Sequence, residues 1–121
     1  MSNYNFGRKN RLLNSHSFQR VFDNTKFKVS NSCFLLLANQ NQLNHPRLGM
    51  IVAKKSIRFS VNRNRLKRVI RSSFRVNQQN LSSLDIIFLV RKGMNKLSFR
   101  EQTELVTKGL DQLHKKLQNI S

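Results

Sequence analysis

Ser60-Val61-Asn62-Arg63-Asn64-Arg65-Leu66-Lys67-Arg68-Val69-Ile70-Arg71-Ser72-Ser73-Phe74-Arg75-Val76 carries six Arg or Lys residues and no acid. An α-helix turns about 100° per residue, which puts Leu66, Val69, Ile70, Ser73 and Phe74 within one arc of about 140°. Asn64, Arg65, Lys67, Arg68, Arg71 and Arg75 fall on the opposite arc, while Arg63, at the helix start, need not yet follow the period. The stretch therefore predicts a helix with one buried stripe and one row of cations. Most charged helical faces are merely solvated, but those mix signs so that i,i+4 pairs offset repulsion. This face has no acid to do so, and its uncompensated charge predicts an anionic partner.

Composition points the same way. The 121 residues hold 23 Lys and Arg against five acids, a formal net charge of +18. Such a balance says little about fold and much about partners: nucleic acid first, an anionic membrane second. No apolar run approaches the roughly 20 residues of a spanning helix, and Met1 to Asn10 lacks a signal-peptide core. A soluble cytoplasmic protein is expected, with no membrane partner. The length suits one domain over residues 1–121, enough for a single core and too short for two. Hydrophobic content is 38%, including nine Phe, so several elements must share that core.

Residue chemistry excludes most enzymes. Cys33, the only cysteine, lies in the apolar run Cys33-Phe34-Leu35-Leu36-Leu37-Ala38 and reads as a small buried hydrophobe. His16, His45 and His114 are scattered, with no i,i+4 pair and no carboxylate cluster nearby, so a zinc site has almost no support. Asp23, Asp85, Glu101, Glu104 and Asp111 form no metal-nuclease constellation. No catalytic residue and no metal ligand are expected from the protein itself.

Working outward from the basic helix, a loop of Ser56 to Phe59 leads into it, with Ser60 as its expected N-cap. Before that loop, Arg47 to Ala53 reads as a strand, with Gly49 marking a bulge or a close backbone approach and Lys54-Lys55 at its end. Lys26 to Val29 and Ser32 to Asn39 are two further strands, the second apolar enough to be covered on both faces. Residues 1–10 read as a flexible basic arm. Phe18, Val21 and Phe22 recur at helical spacing in a short helix from Ser15 or Ser17 to about Asn24. Its aromatics fit core packing and base stacking equally well. After Val76 a Gln/Asn/Ser loop reaches Ser83, and Leu84 to Gly93 reads as a central strand carrying Arg91 and Lys92 near its end. Ser98-Phe99-Arg100-Glu101 is a capping box opening the last helix, whose stripe is Phe99, Val106, Leu110, Leu113 and Leu117. The order α-β-β-β-α-β-α, without repeat or linker, predicts a single-domain α+β sandwich.

Val61-Asn62-Arg63-Asn64-Arg65-Leu66-Lys67-Arg68, continuing to Arg71, resembles the Arg-Asn-Arg signature of the protein subunit of bacterial ribonuclease P. Asn10-Arg11-Leu12 with Phe18-Gln19-Arg20-Val21-Phe22 is similar to that family's N-terminal helix. Leu48-Gly49 through Lys54-Lys55 is similar to its third strand, and Asp85-Ile86-Ile87 through Arg91-Lys92-Gly93 to its last. Together these span nearly the whole chain in the family's order.

The resemblance implies an α/β sandwich like the second domain of ribosomal protein S5, with a left-handed βαβ crossover, a hand that departs from a strong rule. It implies a protein that binds a large catalytic RNA subunit and the 5′ leader of precursor tRNA, assisting magnesium-dependent endonucleolytic removal of that leader. Catalysis is carried by the RNA, and Mg is bound mainly by the RNA subunit and substrate phosphates. Residue by residue, the RNA-binding signature falls on Arg63, Asn64, Arg65, Lys67, Arg68 and Arg71. The leader-binding cleft falls on Phe18, Phe22 and Phe34, with Lys54, Lys55 and Arg91 at its rim. Two departures stand out: Ser56-Ile57-Arg58-Phe59 replaces a small or Gly-containing stretch, and Ser72 stands where the family commonly has an acid. The alternative is a small ribosomal or ribosome-assembly RNA-binding protein. A DNA-binding helix-turn-helix needs a helix directly before the basic one, and strands are expected there.

Overall fold

The computed structural model describes residues 11, 15–81 and 83–119. Its elements are α1 (Ser15–Asp23), β1 (Phe27–Ser30), β2 (Phe34–Gln40), β3 (Arg47–Ile51), α2 (Ser60–Leu81), β4 (Leu84–Val90) and α3 (Phe99–Gln118), with a 3-10 turn at Lys92–Lys96. This is the expected order α-β-β-β-α-β-α. The expected arm at 1–10 lies outside the described residues.

The strands form one sheet in the order β1-β2-β4-β3. β1 and β4 each pair antiparallel with β2, while β3 runs parallel to β4, so β3, α2 and β4 make a βαβ unit. The apolar run of β4 has its cause here, since the strand is central and covered on both faces. On one face Phe34, Leu36 and Ala38 of β2 and Ile86, Phe88 and Val90 of β4 join Leu66, Val69, Ile70 and Phe74 of α2 and Val106, Leu110 and Leu113 of α3 in the main core. On the other face Leu37 and Ile87 pack with Val21 of α1, and Phe18, Leu35 and Ile51 close around them. Odd and even strand residues thus serve different layers, as the two-residue period of a strand requires.

Several boundaries differ from expectation, each for a physical reason. The Phe59 carbonyl accepts the amides of Asn62 and Arg63, both at 3.1 Å, so Ser60 is already helical and is not the cap. α2 continues five residues beyond Val76, through the stretch expected as loop, because Leu81 is fully buried. The His114 Nδ1–H of α3 also donates to the Asn80 carbonyl at 2.8 Å. Gly49 makes no bulge: the register Leu48↔Ile86, Gly49↔Ile87, Met50↔Phe88 is unbroken. β3 stops at Ile51 and β4 at Val90, where the chain enters the 3-10 turn. In α3 the capping box forms as expected, with Ser98 Oγ accepting from the Glu101 amide and Glu101 Oε1 from the Ser98 amide. Phe99 stays exposed, and Gln102 and Gly109 complete the buried stripe in its place.

One polar cluster is built into the sheet. Asp85, buried in β4, lies opposite Arg47 of β3 in the parallel register. Arg47 grips it with two parallel bonds, Nε to Oδ1 at 2.8 Å and Nη2 to Oδ2 at 2.7 Å. Asn41 Nδ2 donates to the same carboxylate at 2.9 Å. The hydrogen bond to Asp85 raises the Arg47 pKa, against the opposing pull of burial, so the guanidinium is held charged. This acid is committed to fastening the edge strand.

Candidate nucleic-acid interface

α2 divides as its sequence dictates. Leu66, Val69, Ile70, Ser73 and Phe74 are buried, and Asn64, Arg65, Arg68, Ser72 and Arg75 are exposed, with Lys67 and Arg71 half-buried at the flanks. The ion pairs among the described residues are Arg47–Asp85, Arg100–Glu104 and Lys115–Asp111, and none of them involves α2. Asp23 accepts from Gln19 and Glu101 is held in its capping box. The cationic face therefore lacks an acidic counterpart, which leaves its mutual repulsion to be relieved by an external anion.

Arg63 is set apart from its neighbours. Its Nη1 donates to the carbonyls of Ile57 at 3.0 Å and Arg58 at 2.9 Å, which pins the loop leading into the helix. On the other side of α2, Arg68, Arg71, Ser72 and Arg75 share an open recess of about 260 Å³ with Arg11. Arg11 is brought there by an isolated parallel bridge to Leu48 on the outer edge of β3. Ser72 thus faces a cluster of four guanidinium side chains.

The expected cleft residues do not all share one surface. Phe18 packs half-buried on the α1 face of the sheet, and Phe22 beside it is 40% exposed. Phe34 is 0% exposed and lies in the opposite layer, its ring 4.6 Å from that of Phe88. It belongs to the core between sheet and α2/α3 and cannot line a cleft with Phe18 and Phe22. The α1 face is completed instead by Leu35 and Ile51. At the rim, Lys54 and Lys55 are exposed in the turn after β3. Arg91 leaves the same end of the sheet, after β4, but is half-buried, its Nη1 donating to Ser30 Oγ at 3.0 Å and to the Asn31 carbonyl at 2.8 Å.

The family model for Ribonuclease P matches residues 6–114. This chain belongs to the ribonuclease P protein family. It is 49% identical over 104 residues to the ribonuclease P protein component of Azotobacter vinelandii, covering 86% of this chain and 80% of that one. Among solved structures, the RNase P protein of Staphylococcus aureus superposes with a TM-score of 0.74 at 28% identity, covering 89% of this chain and 94% of that one. The RNase P protein of Thermotoga maritima gives 0.72 at 28% identity, covering 87% and 96%.

Beside the ribonuclease P signature stretch, the recess takes in Arg75, which the helical wheel placed on the cationic arc though outside the signature, Ser72, noted only as a departure from the family pattern, and Arg11, which only the β3 bridge places nearby. The helical wheel held a signal for Arg75. Nothing local held one for Arg11. Among the described residues no cluster of three or more His, Cys, Asp or Glu is positioned to hold a metal. No described helix is long and apolar enough to cross a membrane.

Proposed function

We propose that this chain is the RNA-binding subunit of a ribonuclease P holoenzyme, and that its α2 face docks on the catalytic RNA. The observation that carries this reading is the exposed row Asn64, Arg65, Arg68 and Arg75, flanked by half-buried Arg71, with no acid paired to it. Guanidinium and ammonium groups displace condensed counterions from phosphates, which makes binding steeply salt-dependent. Asn64 adds a group that donates to or accepts from a 2′-hydroxyl or a base edge, which favours RNA over DNA.

A second surface takes the 5′ leader of precursor tRNA. On the α1 face, Phe18 and the exposed Phe22 offer aromatic rings to unpaired bases, a largely sequence-tolerant mode, and Lys54 and Lys55 supply positive charge at that edge of the sheet. Magnesium is held by RNA and substrate phosphates. The protein carboxylates are engaged elsewhere, Asp85 by Arg47 and Asn41 and Glu101 by Ser98. The protein then contributes positioning and charge in the cytoplasm, and the RNA contributes the chemistry.

Reconstitution tests this. Protein added to its RNA subunit should restore leader removal from precursor tRNA at magnesium concentrations where the RNA alone is slow, and protein rigorously freed of RNA should cleave nothing. Cleavage by the RNA-free protein, or no effect on the RNA, overturns the assignment. Arg65→Ala and Arg68→Ala should each lower the slope of log affinity against log salt by about one.

A further inference from the structure

The loop that enters α2 carries an aromatic ring the core does not use. Phe59 is 60% exposed, and the Arg58 guanidinium carbon stands 5.4 Å from its ring centroid. Around this ring the backbone is held from several directions. Ile57, 1% exposed, anchors the loop in the main core. The Ala53 carbonyl accepts the amides of Ser56 and Ile57, both at 3.0 Å, and the Phe59 carbonyl accepts those of Asn62 and Arg63. Arg63 Nη1 closes the loop onto the helix through the Ile57 and Arg58 carbonyls. A large apolar side chain is thus presented to solvent on a fixed mount, where a partner that covers it gains by removing its surface from water.

Its neighbours indicate what covers it. Val61, 71% exposed, begins the row that continues one turn on with Arg65 and then Arg68. The ring stands at one end of a line of cations, with exposed Lys54 and Lys55 in the preceding turn. Protein–protein interfaces are depleted of lysine, and the cations here have no acid paired to them. An RNA strand, by contrast, brings phosphates to the cations and an unpaired base to the ring.

We propose that Phe59, backed by Arg58, is a stacking platform for one unpaired base of the RNA that docks on α2. This rests on the RNA-binding reading above. Arg58 lies against the ring as a cation–π partner, and the base stacks on the ring surface left open. The loop fixes the ring before binding, so little ordering is needed when the RNA arrives.

The test is equilibrium binding of the ribonuclease P RNA from the same genome to the full-length chain and its variants across a salt series. Phe59→Ala should weaken binding about tenfold, within the range for loss of one stacked base, and leave the salt slope unchanged because no charge is removed. Phe59→Tyr and Phe59→Trp should restore affinity, and Phe59→Leu should not. The chain contains no tryptophan, so Phe59→Trp also creates a sole tryptophan, whose selectively excited emission should be quenched when the RNA binds. Unaltered affinity in Phe59→Ala, or restoration by Leu as complete as by Trp, overturns the platform and leaves the RNA-binding reading intact. A concentration-dependent emission shift of the Phe59→Trp variant without RNA marks a protein–protein surface and overturns it as well. Failure of the unsubstituted chain to bind this RNA overturns the underlying reading, and the platform with it.

Discussion

Arg63 reaches back from the first turn of α2 to the Ile57 carbonyl, 3.0 Å from its Nη1, and so ties a cation of the signature to the loop that precedes it. The same nitrogen also holds the Arg58 carbonyl. Hydrogen bonds from a charged donor contribute more than neutral ones, and the Ile57 side chain between these anchors is buried. Arg63→Ala should therefore lower stability by about 1.5 kcal/mol. Arg65→Ala, fully on the exposed row, should stay within about 0.5 kcal/mol of the parent. Urea midpoints measured on both variants check the contrast. Equal values would mean that Arg63 is only another surface cation.

How far such a role was legible varies from residue to residue. The two faces of α2 were written in a 3.6-residue period, and the capping box at Ser98 in a four-residue pattern, because both depend on local geometry alone. The last turn of α2 was not, since Asn77 to Asn80 show no period and the turn is held by Leu81 in the core and by His114 of α3. Phe34 was misplaced because β2 is apolar on both sides and shows no alternation to reveal which layer a residue enters. In the sequence Asp85 reads only as one of five acids that form no metal-nuclease constellation. Its pairing with Arg47 exists only because β3 and β4 are neighbours in register.

That pairing is asymmetric. The Asp85 side chain is 3% exposed and that of Arg47 is 21% exposed, so the carboxylate is trapped while the guanidinium has an exit to water. Removing one partner of a buried ion pair costs most when the survivor is the buried one. Arg47→Ala should destabilise by about 3 kcal/mol, tempered by the remaining bond from Asn41. Asp85→Asn should cost less, because Arg47 then turns to solvent. Chemical denaturation of the two variants decides the order, and the reverse order would show that Asp85 finds water when Arg47 is gone.

Two glycines differ in what surrounds them. A Cβ on Gly93 would stand 2.5 Å from the Ser32 carbonyl oxygen, a backbone atom fixed in the turn before β2. A Cβ on Gly109 would stand 2.5 Å from Phe34 Cζ, in a ring already packed on Phe88. At Gly109, alanine gains about 1 kcal/mol of helix propensity and loses about 1–3 kcal/mol to overpacking. Gly109→Ala should thus be mildly destabilising, and Gly93→Ala, where neither effect offers relief, should be the worse of the two. Thermal unfolding of each variant checks this, and a Gly93→Ala variant as stable as the parent would show that the 3-10 turn shifts freely.

The acid limb of stability should carry a contribution from Glu101. The Ser98 amide holds its carboxylate, with the Ser98 hydroxyl assisting, and this lowers its pKa. A carboxylate with a lowered folded pKa stabilises the native state fully above the ordinary Glu value of about 4.3. That contribution fades as pH falls through the lowered value, because both states are then protonated alike. Glu101→Ala should accordingly be less stable than the parent at about pH 7, and the gap should narrow as pH drops through the carboxylate range toward about pH 2. Urea midpoints of parent and variant across that range test it. A gap independent of pH would mean that Glu101 supports α3 through its methylene packing, with no part played by the charge at the helix N-terminus.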